Sequence, residues 1–230
     1  MSLILQIETA TTSCSVALAR DGSVLGFKEV NERSIHAEVI TLFVEELITA
    51  AKLQYTDIDA VAVSCGPGSY TGLRIGISTA KGLCFALDKP LISIDTLEAM
   101  ANGVIKRQGY NPDDDVLLCP MIDARRMEVY TAIYKTTGEN IKATAAEIID
   151  ENSFSELLKS NKILFFGDGA EKCHAALNSN SNAVFFTGFA NSAADLTQQA
   201  FDKFRRQDFE DVAHFEPYYL KDFIAGKKSV

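Results

Sequence analysis

Three sets of residues in this chain have types and spacing suited to chemistry: carboxylates at strand ends, glycine-rich turns, and a few histidines and cysteines. Glu8 closes the apolar run "LILQIE", and Asp123 closes a later one, "VLLCPMID". In a fold that brings strand ends to a cleft, such carboxylates would handle a metal–phosphate group. An acidic residue there also commonly just caps the following turn. Glu8 stands where such sites usually carry Asp, and its extra methylene displaces the carboxylate by about a bond length.

The stretch "CGPGSYTGLRIG", Cys65 to Gly76, lies between a β-branched run and a helical pattern, which is where phosphate cradles are built. Gly66, Gly68 and Gly72 miss the dinucleotide fingerprint, because Thr71 stands in the third glycine's place. They miss the Walker loop too, since Leu73 follows where Lys is needed. The helix start at Ser69 to Thr71 could still offer N–H groups and the helix dipole to an anion. Gly72, Gly76, Ala80 and Cys84 recur every four residues, so one ridge of this helix carries no bulk. Glycine inside a helix costs about 1 kcal/mol relative to Ala unless something compensates. Close packing against another backbone is the better supported reading, and the anion site stays open beside it. A further loop, Gly167-Asp168-Gly169, opens another helical stretch. Glu8, Gly66, Gly68, Ser69, Asp123, Gly167 and Gly169 are therefore the candidate nucleotide or anion residues. On that reading the chain is a small ATP-binding kinase or ATPase.

Other chemistry is thin. His36, His174 and His214 stand alone, with no second His at helical or hairpin spacing. Gly76-Ile77-Ser78-Thr79-Ala80 nearly copies a nucleophile elbow but falls inside a helix. None of the five cysteines is flanked by basic residues that would lower its pKa. Acid, base and electrophile do not converge, so the sequence predicts no catalytic residues.

The elements that position these residues follow from periodicity. Leu3 to Ile7, Ser15 to Ala19 and Val24 to Val30 read as strands, the last two joined by a hairpin at Arg20 to Ser23. Ile35 to Ala51 is helical, with apolar residues at helical spacing and Ser34 available as N-cap. Ile58 to Ser64 is a strand, Thr71 to Leu87 a helix, and Leu91 to Ile94 a further parallel strand. The order begins again with strands at Val116 to Ile122 and Glu128 to Tyr134. In the less regular second half, Phe154 to Leu158 is helical, and Ile163 to Phe166 and Val184 to Phe186 are strands. Ala193 to Phe204 is an amphipathic helix placed to cross back to the first half. A βββαβα unit present twice predicts an α/β fold of two related lobes, 1–104 and 105–230, of the actin, Hsp70 and sugar-kinase kind.

With 230 residues, 47% hydrophobic, the chain can bury a sizeable core. Its net charge of −9 argues against holding nucleic acid alone, since phosphate contacts need a dense basic face. No targeting segment is visible, and the longest apolar run, Val116 to Ile122, is far short of a membrane span. Five scattered cysteines in apolar stretches suit a reducing cytoplasm. The tail from Gly226 to Val230 is expected to fray.

Six segments together resemble the TsaB (YeaZ) family. They are "ILQIETATTSCSVAL", "GPGSYTGLRIGISTAKGLCFAL", "PLISIDTLEAMA", "MIDARRMEVY", "FFGDGA" and "EPYYLK", and they span nearly the whole chain. The resemblance implies a two-lobed actin-like fold and a place in the machinery that makes N6-threonylcarbamoyladenosine at position 37 of tRNA. It implies TsaD as catalytic paralogue, TsaE as ATPase partner, tRNA met through the complex, and no membrane. TsaD-like chains carry two metal-binding histidines where this chain has Thr96 and Met100. Neither side chain replaces an imidazole, so the resemblance implies a copy that kept the fold and lost the metal, with ATP and Mg handled by the assembled complex. A metalloprotease reading fails on the same missing HxxxH motif.

Such a copy would act by binding its active relative. Two helical faces are candidates: the bare ridge at Gly72, Gly76 and Ala80, and the exposed half of the preceding helix at Val39, Phe43 and Leu47. The resemblance implies both a homodimer and a TsaD heterodimer. Two paralogues sharing one patch compete, which makes the homodimer a storage form. Arg125 and Arg126 are left without an assigned role.

Overall fold

Among the described residues, ten strands form two five-stranded sheets with the same strand order. The structure is a computed structural model of the chain and describes residues 1–32 and 34–221; the tail from Gly226 lies outside them. The first half runs β1 (Leu3–Glu8), β2 (Ser13–Arg20), β3 (Ser23–Asn31), α1 (His36–Ala50), β4 (Ala60–Gly66), α2 (Tyr70–Leu87), β5 (Leu91–Asp95) and α3 (Thr96–Gln108). The second runs β6 (Val116–Asp123), β7 (Glu128–Lys135), β8 (Asn140–Ile148), α4 (Ser155–Leu158), β9 (Lys162–Phe166), α5 (Ala170–Leu177), β10 (Ala183–Phe186), a 3-10 turn at Ala193–Leu196 and α6 (Thr197–Arg206).

The first sheet is ordered β3-β2-β1-β4-β5 and the second β8-β7-β6-β9-β10. In each, the first three strands are antiparallel and the last two add in parallel. The duplication is therefore complete at the level of topology, and the chain is a two-lobed α/β protein of the actin-like kind.

Central strands are buried on both faces, which is why β1 reads as an unbroken apolar run rather than an alternation. One face of the first sheet packs under α1 and α2, where Leu5, Ile7, Val61 and Val63 meet Ile40, Val44, Ile77 and Cys84. Each large aliphatic side chain buried there contributes about 1.5–3 kcal/mol. The second sheet packs α5 on Cys119, Met121, Ile163 and Phe165 in the same manner.

The remaining two faces are covered by exchange. α3 follows the first sheet but lays Leu97, Met100, Ala101 and Val104 on Leu118, Ile122, Leu164 and Phe166 of the second. In return, Ala193, Leu196 and Ala200 lie on Ile4, Ala60, Ala62 and Ile94 of the first. Helix α3 spans position 104, so it is both the end of the first half and part of the second lobe's core.

Local signals place the helices. Ser69 caps α2 by accepting from Gly72 N at 3.2 Å, and Asp95 caps α3 by accepting from Glu98 N at 3.0 Å. Gly109 ends α3 in the left-handed region. Ser34 is not the cap of α1: the N-cap position is Ile35, which makes no side-chain bond, and Ser34 itself sits at φ 65°.

The bare ridge of α2 faces inward. A Cβ on Gly72 would overlap the Thr9 carbonyl, and one on Gly76 would overlap the Thr9 hydroxyl. Gly82, on the outer side, has open space around it. Gly72→Ala is expected to lower stability by about 1–3 kcal/mol through overpacking. Gly82→Ala should raise it by up to about 1 kcal/mol through helix propensity. Urea unfolding of both variants checks the contrast.

Candidate functional site

The nominated residues gather at two equivalent corners, one per lobe. In the first, β1 ends at Glu8, and the turn behind it, Thr9-Ala10, is pressed against the glycine loop. A Cβ on Gly68 would meet the Ala10 carbonyl at 2.5 Å, and Ser69 N donates to that same oxygen at 2.6 Å. In the second, β6 ends at Asp123. A Cβ on Gly167 would overlap the Met121 carbonyl, and one on Gly169 would crowd Ile122 and Asp123 N. The structure thus brings Glu8 together with Gly66, Gly68 and Ser69, and Asp123 with Gly167 and Gly169.

The two carboxylates have different surroundings. Glu8 is 1% exposed, and its Oε1 accepts from Ala10 N at 2.6 Å and from Ser64 Oγ at 2.9 Å. Burial pushes its pKa up to about 7, partly offset by the Ala10 N–H and the Ser64 hydroxyl. Asp123 is exposed; its Oδ1 accepts from Arg125 N at 2.8 Å and is paired with the Lys172 ammonium. Asp123 N in turn donates to Asp168 Oδ1 at 3.0 Å. Both carboxylates cap turns. Arg125 and Arg126 form that second turn, both at positive φ and both exposed.

Three N–H donors in the first glycine loop, those of Gly66, Ser69 and Gly72, are engaged within the chain. Gly66 N donates to Thr96 Oγ1 at 3.1 Å, and Gly72 N to Ser69 Oγ. Tyr218 lies directly over the loop, its N donating to Cys65 O at 2.7 Å and its carbonyl 2.5 Å from where a Gly66 Cβ would be. Glu8 is further enclosed by residues 191–197. Ser13 Oγ donates to Asn191 O at 2.6 Å, Ala193 N to Ser15 Oγ at 2.7 Å, and Thr197 Oγ1 to Gln6 Oε1 at 2.9 Å. Asp195 of this segment is ion-paired with Arg107, and burial raises its pKa to about 6 against that pairing. The sequence signal for this cover was Ser192 before an apolar helical pattern, a capping position that no site residue pointed to.

Between the corners stands α3. Thr96 and Met100, one turn apart, are 0% and 1% exposed; Thr96 touches the loop of the first lobe and Met100 the Gly167 loop of the second. Among the described residues no group of three or more His, Cys, Asp or Glu is placed to hold a metal ion. Two open grooves, of about 640 and 680 Å³, lie elsewhere, and neither is lined by any nominated residue.

The faces nominated for partner binding differ from expectation. Gly72, Gly76 and Ala80 are buried because the Thr9-Ala10 turn and the lobe core fill the ridge. Leu47 is buried, and Val39 and Phe43 are half-buried against the same core, which uses more of α1 than one sheet face required. The outward residues are others. Leu42 of α1 is 54% exposed, and Phe85 of α2 is 87% exposed. At 100° per residue, Phe85, Ser78 and Arg74 lie within about 40° of one another on α2, opposite the buried ridge.

A two-lobed actin-like chain whose lobe junction is occupied by its own buried residues is the class of protein that fold and site define. The family sequence model described as "TsaD: tRNA N6-adenosine threonylcarbamoyltransferase" matches residues 30–225. The chain is 34% identical to the tRNA threonylcarbamoyladenosine biosynthesis protein TsaB of Escherichia coli K12, over 98% of this chain and 97% of that one. It is 34% identical to TsaB of Bacillus subtilis over 57% of its own length and 55% of the relative's. YeaZ from Pseudomonas aeruginosa superposes with a TM-score of 0.81 at 27% identity, covering 96% of this chain and all of that one. An activator of 2-hydroxyisocaproyl-CoA dehydratase from Clostridium difficile, TM-score 0.50 at 9% identity over 91% of this chain and 98% of that one, shares the fold. The chain belongs to the TsaB (YeaZ) family.

Glu8 supplies a test of the junction. Its proton is bound more tightly in the folded state than in the unfolded state, so its contribution falls as pH rises from about 4.5 to about 7. Glu8→Gln keeps an acceptor for Ala10 N and Ser64. It is expected to match the wild type near pH 4.5 and to exceed it by up to about 3 kcal/mol at pH 8. Denaturant unfolding across that range checks it.

Proposed function

We propose that this chain is a non-catalytic subunit of the machinery that makes N6-threonylcarbamoyladenosine in tRNA, and that it works by pairing with a catalytic paralogue of the TsaD type. Membership of the TsaB family supports a role in that biosynthesis. The observation that carries the non-catalytic part is the occupancy of the lobe junction. Thr96 and Met100, the residues aligned with the metal-binding histidines of the resemblance, are buried against the two glycine loops. Glu8 is enclosed by residues 191–197, and the candidate anion loop directs its Gly66, Ser69 and Gly72 N–H groups inside the chain. No cofactor is then needed by this subunit, and ATP with magnesium belongs to the assembled complex, with a TsaE-type ATPase as further partner.

The pairing face on this reading is the outward side of α1 and α2, with Leu42 and Phe85 at its centre, rather than the glycine ridge. Phe85, 87% exposed, offers this face a large apolar side chain for a partner to cover. The same face serves a homodimer when the paralogue is absent. The net charge of −9 fits a subunit that meets tRNA through its partner, in the cytoplasm.

The decisive experiment is reconstitution with tRNA and an enzymatic supply of threonylcarbamoyl-AMP. The purified chain alone should form no modified adenosine, and adding TsaD of the same organism should give a heterodimer that does. Modification by the lone chain would overturn the proposal. Phe85→Glu should abolish the heterodimer in analytical ultracentrifugation while leaving the melting temperature within a few degrees.

A further inference from the structure

Beyond α6 the chain continues as an extended strap over the first lobe. Glu210 N donates to Leu91 O at 2.9 Å, and Val212 and Phe215 pack on the core below α1 and α2. The Lys81 ammonium holds the strap by donating to the carbonyls of Ala213, at 3.2 Å, and Phe215, at 2.9 Å. Further on, the strap delivers Tyr219 to the first turns of α2. There the Tyr219 ring lies 4.9 Å from that of Tyr70, and Arg74 bridges the two. The Arg74 guanidinium sits 4.2 Å over the Tyr70 ring, and its Nε donates to Tyr219 Oη at 3.1 Å.

This leaves an arginine fixed by stacking and by one hydrogen bond, yet exposed. Its two terminal nitrogens meet no acceptor among the described residues. Glu216 of the strap acts on the guanidinium through its charge but forms no direct ion pair with it. A planar fork held in this way recognises a carboxylate bidentately at little cost in side-chain entropy. The position matters as much as the chemistry. Arg74 stands on the outward side of α2, in line with Ser78 and Phe85 and three turns before the latter. Tyrosine and arginine are also the residues most enriched where binding energy concentrates at interfaces.

Resting on the pairing face proposed above, we infer that Arg74, positioned by Tyr70 and Tyr219, is a specificity-determining contact of that face. Its partner is an Asp or Glu on the helix of the catalytic paralogue that covers Phe85. Phe85 and Leu42 supply apolar contact area, and Arg74 fixes register and direction, because a helix docked in reverse would leave its carboxylate away from the fork. Tyr219 gives the strap a part in recognition: it holds the arginine without itself having to touch the partner.

The test is titration of purified TsaD of the same organism with the full chain and its variants at 50 mM and 500 mM NaCl. Arg74→Ala and Arg74→Glu should weaken the heterodimer by about tenfold or more at low salt, with the difference from wild type shrinking at high salt. Arg74→Lys should recover only part of the loss, since an ammonium lacks the fork and the stack. Tyr219→Phe should weaken pairing several-fold and flatten the salt dependence. Unchanged melting temperatures separate these effects from misfolding. If Phe85→Glu abolishes pairing while every Arg74 variant binds as wild type, the inference falls and the pairing face stands. If neither Phe85→Glu nor Arg74→Glu changes affinity, both fall. Weakening of the homodimer alone, with the heterodimer intact, also overturns the inference.

Discussion

The contact on which the rest of the structure depends is the insertion of one tight turn into the side of one helix. Thr9 and Ala10 lie along the loop glycine Gly68 and the α2 glycines Gly72 and Gly76, which carry no side chains, and Ser69 N closes the contact on the Ala10 carbonyl. Any β-carbon in that row would push the turn away. The turn could not then place Glu8 under Ser64, nor could β2 leave it in register with β1. The glycine-rich sequence is therefore a consequence of backbone approaching backbone, a use of glycine that looks from the sequence like a phosphate loop.

Exchange of closing helices makes the two sheets interdependent. Each sheet finishes its core with a helix connected to the other, so neither half buries its apolar surface alone. The junction beneath is polar and partly bonded. Gln6 Nε2 and Thr9 Oγ1 are buried there with no hydrogen-bond partner among the described residues, while hydroxyls of Ser13, Ser15, Ser64 and Thr197 meet backbone groups, Glu8 and Gln6. Polar groups buried in this way fix a unique geometry, because any other arrangement strands a donor or acceptor out of water.

Much of the architecture was legible because it is written in periodicity. The run from Leu3, the helical repeat from Ile35 and the β-branched stretch before Cys65 mark elements that burial alone specifies, and the repeated order of elements exposed the two lobes. Strand β8 was not legible: "NIKATAAEI" has few large apolar residues, because as an edge strand it owes its place to pairing with β7. Helix α3 was obscured by Asn102 and Gly103, and the glycine is there because Asp195 of the crossing segment presses against it. The site was legible only as a set of corners. Sequence spacing finds glycines that admit a neighbour but cannot name the neighbour. So the ridge read as an open surface turned out to be occupied by residues sixty positions earlier, and the exposed Phe85 was passed over as one apolar residue in a helical repeat.

The exchanged helices also bear on how the chain comes to be folded. The first sheet is synthesised early, yet the residues that seal it, Ala193 to Ala200 and the strap to Tyr219, leave the ribosome about a hundred residues later. A nascent first lobe must wait, with Ile4, Ala62 and Ile94 uncovered, until Ala193 to Ala200 have emerged. Such long-range closure favours slow, concerted folding of both lobes over folding one after the other. It also leaves that apolar surface open to aggregation during the interval before the second half arrives.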